Sequence, residues 1–120
     1  MSEIIIGLLT WQNQIKLYHW QTTLYSRHKS TDKYFEKLSS NIDRFIETYQ
    51  GIYGRIYLKK NNLIKLEDLD DDSIQKCCDY MIKWFVKIIG PKIKNNPDLL
   101  TIRDEMLADL NQLKYLFSLK

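Results

Sequence analysis

Apolar residues recur at helical spacing along four stretches of the chain, and the intervals between them are polar or broken by glycine and proline. The first stretch runs from about Ser2 to Thr22, marked by Ile5, Leu8, Ile15 and Tyr18. The second runs from about Ser30 to Arg55, with Phe35, Leu38, Ile42, Phe45, Ile46 and Tyr49 on one stripe. The third, from about Asp72 to Ile89, turns Ile74, Cys78, Met81, Phe85 and Ile88 inward. Asp70, Asp71 and Asp72 suit its N-terminus, and Gly90-Pro91 ends it. The fourth opens at Asn96-Pro97-Asp98, an N-cap followed by proline at the first helical position. Its seam is Leu99, Ile102, Met106, Leu110, Leu113 and Phe117. Short turns follow the first and third stretches, whereas Lys59 to Leu69 makes a longer crossover. The pattern predicts one all-α domain over residues 1–120, a four-helix bundle of two helical hairpins joined by that crossover.

Composition narrows the function classes. A hydrophobic content of 44% with 28% charged residues is that of an ordinary globular protein, and two prolines and four glycines argue against a turn-rich β fold. The net charge of +3 is mild and forms no basic stripe of the kind nucleic-acid binding usually needs. Arg55, Lys59, Lys60 and Lys65 cluster at the crossover and read as solvated charge rather than a phosphate site. No apolar run approaches the roughly 18 residues that span a bilayer, and Met1-Ser2-Glu3 opens neither a signal peptide nor a lysine-rich arm. No membrane partner is expected. Cys77 and Cys78 are adjacent in a helical pattern, so buried thiols in a reducing, cytoplasmic compartment are expected rather than a disulfide framework. Asp70-Asp71-Asp72 lacks the glycine and spacing of a calcium loop. Glu105 and Asp109 read as surface charge, and Trp11, Trp20 and Trp84 as core or interface aromatics.

The chemistry concentrates between His19 and Glu47. His19 follows Leu8, Gln12 and Ile15 in helical phase and should point toward the bundle. His28, Asp32, Glu36, Ser39, Asp43 and Glu47 fall within an arc of roughly 100° on the second helix. Lys33, Lys37 and Arg44 sit farther round and Lys29 only at the edge of that arc, whereas ordinary helix-surface ion pairs would place a basic partner within it. Each residue alone reads as solvated surface. Together, imidazoles and carboxylates suit iron, manganese or zinc rather than calcium. Asp32 and Asp43 lie roughly 16 Å apart along a helix, too far for one small metal centre. Two antiparallel copies of this helix in one register would set His28 against Glu47 and Asp32 against Asp43, making two identical sites in a two-fold dimer.

The segment Tyr18-His19-Trp20-Gln21, then His28 to Leu38 with its H-x-x-x-D, then the D-x-x-x-E of Asp43 and Glu47, resembles the signature of the Dps (mini-ferritin) family. The interval from His19 to His28 is shorter than that family's and lacks its glycine-containing loop. The resemblance implies a ferritin-like bundle and a homo-oligomer, at least a two-fold dimer. It further implies iron, as one or two ions per site, held by His19, His28 and Asp32 of one chain with Asp43 and Glu47 of its partner. The activity implied is oxidation of Fe(II) by peroxide or dioxygen. The run Tyr49 to Arg55 also resembles short uncharacterised proteins of phages and large DNA viruses. Two other readings stand beside this one: a structural or interaction protein, such as a virion or nucleoid component, and a DNA-binding protein.

Overall fold

The periodic stretches fold as helices whose apolar seams meet in one core. A computed structural model describes residues 1–119. Helix α1 spans Ser2–Gln21 and α2 spans Tyr25–Tyr53. Helix α3, Ser73–Trp84, continues through a π-helical turn, Phe85–Ile89, into the short α4, Gly90–Ile93, and α5 spans Pro97–Phe117. The described residues contain no strand. With α3 and α4 forming one continuous rod, the molecule is all-helical and has four rods. α2 packs along both α1 and α5, and the α3–α4 rod packs along α5. Leu8, Trp11, Ile15 and Tyr18 of α1 meet Tyr34, Leu38 and Phe45 of α2 and the whole seam of α5 in the interior. Trp11 Nε1 donates to the Tyr34 hydroxyl at 2.7 Å, so the largest core aromatic is buried with its polar atom satisfied.

Two helix boundaries differ from the sequence pattern. Helix α2 begins at Tyr25 rather than near Ser30. Thr22, Thr23 and Leu24 suffice to reverse the chain, and the amides of Arg27 and His28 both bond the Leu24 carbonyl, at 3.0 and 2.9 Å. At the other end, Gly90-Pro91 does not stop the third helix. Proline has no N–H to donate back along the helix and its ring crowds the preceding turn. The chain absorbs this by widening residues 85–89 into a π turn, and Arg103 Nη1 donates to the Phe85 carbonyl at 3.1 Å. Asp70 starts α3 by accepting from the amides of Asp72 and Ser73, at 3.1 and 2.8 Å, as acidic residues there should.

The crossover climbs the side of α1. The Lys59 amide bonds Ser2 Oγ at the beginning of that helix. Gln14 exchanges two hydrogen bonds with the Glu67 backbone, and Gln21 donates to Asp68 near the helix end. α3 therefore starts beside the α1–α2 hairpin.

The approach of α3 to α1 depends on Gly7, where an added Cβ would fall 2.2 Å from the Trp84 ring. Gly51, also helical, has nothing within 4 Å of the same position. Alanine gains about 1 kcal/mol over glycine in a helix interior, whereas overpacking costs about 1–3 kcal/mol. Gly7→Ala should therefore lower the melting temperature and Gly51→Ala should raise it. Equal shifts in thermal unfolding of the two variants would show that the α1–α3 contact is not close-packed.

Candidate metal site at the first hairpin

A buried guanidinium organises the hairpin. Arg27 is only 7% exposed although it lies two residues into α2. Its Nη1 donates to the Tyr18 hydroxyl at 3.0 Å and to the Asp71 carbonyl at 2.6 Å. Its Nη2 reaches the Phe117 carbonyl at 3.4 Å, and its plane lies 4.7 Å from the centre of the Phe117 ring. The Tyr18 hydroxyl donates onward to the Asp71 carboxylate at 2.6 Å. Helices α1 and α2, the end of the crossover and the end of α5 are thereby tied at one point.

Tyr18 and Arg27 each precede a histidine, so the next residue on each helix is rotated by about 100° out of that knot. His19 and His28 consequently stack, with ring centres 4.0 Å apart and planes 16° from parallel. The hydrogen bonds fix both tautomers. His28 Nδ1 lies 2.9 Å from the His19 carbonyl, which can only accept, so Nδ1 carries the proton. That bond also satisfies one of the end carbonyls of α1. Thr31 directs its hydroxyl proton to the Arg27 carbonyl at 2.6 Å, which leaves its oxygen to accept from His19 Nδ1 at 3.0 Å. Neither Nε2 has a hydrogen-bond partner among the described residues. No sealed side-chain nitrogen or oxygen there lacks a partner, so the Nε2 of the largely buried His19 still reaches the surface. With Nδ1–H anchored and Nε2 free of partners, each ring in its neutral form turns toward the surface the nitrogen that metal ligation uses.

The carboxylates of the predicted stripe are placed as the spacing implies. Asp32, Glu36, Asp43 and Glu47 are all exposed on the unbroken helix α2. None of the four makes a side-chain hydrogen bond or an ion pair among the described residues. Asp71, Asp79, Asp104 and Glu105 pair with basic side chains, whereas the carboxylates of Glu3, Glu67 and Asp72, outside the stripe, also have no partner among the described residues. Ser39, in the same stripe, accepts from Gln12 at 2.9 Å. His28 and Asp32 share the wall of an open depression of about 450 Å³ with Lys29 and Lys33. Asp43 and Glu47 lie roughly 16–28 Å farther along the same helix and cannot join His28 within one chain. Among the described residues, no three ligand-type side chains of a single chain converge on one point.

Some residues that shape this site escaped the sequence reading. Arg27 and Thr31 sit in the buried phase of α2 with Tyr34, Leu38 and Ile42, a spacing that was visible once charge was not taken as a sign of exposure. Lys16 enters from α1, its Nζ 4.7 Å from the Phe35 ring centre and 5.7 Å from that of Trp20. Trp20 itself is exposed, whereas Trp11 and Trp84 belong to the core. Glu105 pairs with Arg44 at 3.4 Å, and Asp109 accepts from Asn41 at 3.2 Å, so neither stands open for a metal. Cys77 and Cys78 are unpaired thiols, and burial pushes the Cys78 thiol up to about 12.

Burial, and next the charge of His28, lower the pKa of His19 below the ordinary imidazole value; Lys16 adds to this, while the contact with the His28 backbone and the charge of Asp32 oppose it. The unfolded chain therefore binds more protons than the native one in the window below about 6.5. The stabilising contribution of neutral His19 is fully present above that value and is lost as pH falls through the lowered native pKa. Melting temperature should drop across this window in metal-free protein, and His19→Gln should flatten the slope. An unchanged slope in His19→Gln would assign the pH dependence to other groups.

No curated protein and no solved structure matches the chain. The model of a family of unknown function, DUF5856, matches residues 19–117, from the first of the stacked histidines to the Phe117 ring that closes over Arg27, and the chain belongs to that family.

Proposed function

We propose that this protein is a ferritin-like metal-binding protein that takes up Fe(II) at sites shared between two chains and oxidises it with peroxide or dioxygen. The observation that carries the reading is the stacked pair His19 and His28, each with Nδ1–H anchored and Nε2 free. With Asp32 they form the two-imidazole, one-carboxylate composition suited to ferrous iron. Asp43 and Glu47 of a second chain complete each set, through antiparallel packing of two α2 helices. Phe35 and Ile46, which are half-buried and lie within about 20° of the azimuth of His28, favour this arrangement. Contact between two stripes would take both from water. The crossover that returns the chain to the hairpin end also agrees with a ferritin-like course.

Iron enters this reading as substrate. The residues of the chain bind and orient it: neutral imidazoles hold Fe(II) without a proton to displace, and the acidic oxygens favour the higher charge of Fe(III). Thr31 acts on the metal only through His19, whose ring it orients.

Anaerobic Fe(II) should raise the melting temperature, since a ligand bound by the folded state alone stabilises it by mass action. Thr31→Val, nearly isosteric, should weaken Fe(II) binding by about 10–100-fold, the usual cost of removing such an orienting partner. No thermal shift with Fe(II), Zn(II) or Mn(II) would refute metal binding. A shift that Thr31→Val leaves unaltered would remove His19 from the ligand set.

A further inference from the structure

The opposite end of the bundle carries a surface of different chemistry. Residues 48–66 include Arg55, Lys59, Lys60 and Lys65 and not one acidic side chain, which leaves 14 of the 18 basic residues elsewhere against all 15 acidic ones. The net positive charge of the protein thus resides in this segment. The same segment holds Tyr53, Tyr57, Leu58, Leu63, Ile64 and Leu66, all exposed, Tyr57 by 80% and Leu63 by 71%. Past Gly54 the chain has no regular secondary structure until α3, and long irregular connections in small domains are commonly functional. It reverses at Lys60-Asn61, where Asn61 takes the left-handed conformation and Asn62 hydrogen-bonds the Lys59 carbonyl. Lys59 and Lys60 therefore stand at the tip of a turn, flanked by Tyr57 and Leu58 before it and by Leu63 and Ile64 after it. The α-amino group of Met1 and Lys92 add positive charge on the same end; burial, then Lys92 and Lys59, lower the pKa of that amine, and Glu3 opposes them.

We infer that this turn is a docking site for the surface of an anionic lipid bilayer. No helix among the described residues is long and apolar enough to cross a membrane, so the contact is peripheral. Exposed aliphatic side chains beside lysines fit the boundary between headgroups and acyl chains, and tyrosine favours the same depth. Lysine and arginine supply the attraction to acidic headgroups. A polynucleotide would use the charges and the tyrosines by stacking but has no use for Leu63 or Ile64. This surface is remote from the histidine pair and does not depend on the iron reading.

The test is co-sedimentation of the full chain with phosphatidylcholine vesicles with and without phosphatidylserine. Binding is expected only with phosphatidylserine and should weaken with salt. Lys59→Gln/Lys60→Gln should lower affinity about 25-fold, each basic residue near an acidic leaflet being worth roughly fivefold. Leu63→Ser/Ile64→Ser should also weaken binding, with thermal unfolding unchanged because both side chains are already exposed. Lys76→Gln/Lys83→Gln, on α3, should bind as the parent does. Absence of binding, binding without phosphatidylserine, or binding that Leu63→Ser/Ile64→Ser leaves intact overturns the inference. Retention of a single-stranded oligonucleotide through Lys59 and Lys60, without vesicle binding, does so as well.

Discussion

A guanidinium removed from water needs acceptors for its N–H groups, and Arg27, on α2, finds them in three other parts of the chain. Removing one partner of such a buried charge is far more costly than losing a surface ion pair, because the charge stays behind unsolvated. The three-residue link between α1 and α2, the end of the crossover at Asp71 and the last turn of α5 are held in mutual register by this one side chain. Its neighbour in sequence is His28, and the neighbour of its partner Tyr18 is His19. With Tyr18 and Arg27 turned inward, the two imidazoles have only the outer edge of the hairpin to occupy, and there they stack.

The consequence is a division of labour along α2. One face supplies Arg27, Thr31, Tyr34, Leu38, Ile42 and Phe45 to the interior. The adjoining face supplies His28, Asp32, Asp43 and Glu47 to the outside. Thr31 belongs to the first face and orients a residue of the site, His19, through a bond that is itself buried. Packing and candidate chemistry are thus coupled through single atoms, and a core substitution at Thr31 reaches the proposed metal site without altering a proposed ligand.

Much of this was legible in the residues because α2 is long and unbroken. A 3.6-residue period sustained from His28 to Glu47 places side chains around a straight helix whatever they pack against, so the polar stripe and the apolar seams of α1 and α5 could be read directly. What escaped reading were features where a local preference yields to tertiary structure. Ser30-Thr31 has the composition of a helix start, yet Thr31 turns inward and bonds the preceding turn. Gly90-Pro91 has the composition of a stop, yet a π turn stabilised by Arg103 carries the chain through it. Arg27 has the composition of a surface residue, and only its phase with the apolar stripe betrays its burial. Sequence spacing alone also could not reveal that Nδ1 of each histidine is anchored, since those bonds depend on how tightly the hairpin closes.

The central claim, that each metal site draws on two chains, is tested most directly by mixing two defective proteins. His28→Ala/Asp32→Ala removes one half of every site, and Asp43→Ala/Glu47→Ala removes the other. Co-refolded in equal amounts, about half the dimers should be mixed, with all four changes gathered in one site and none in the other. Roughly a quarter of the parent's bound iron should return, although neither variant binds alone. Mixed dimers confirmed by mass spectrometry that recover no iron would contradict the account.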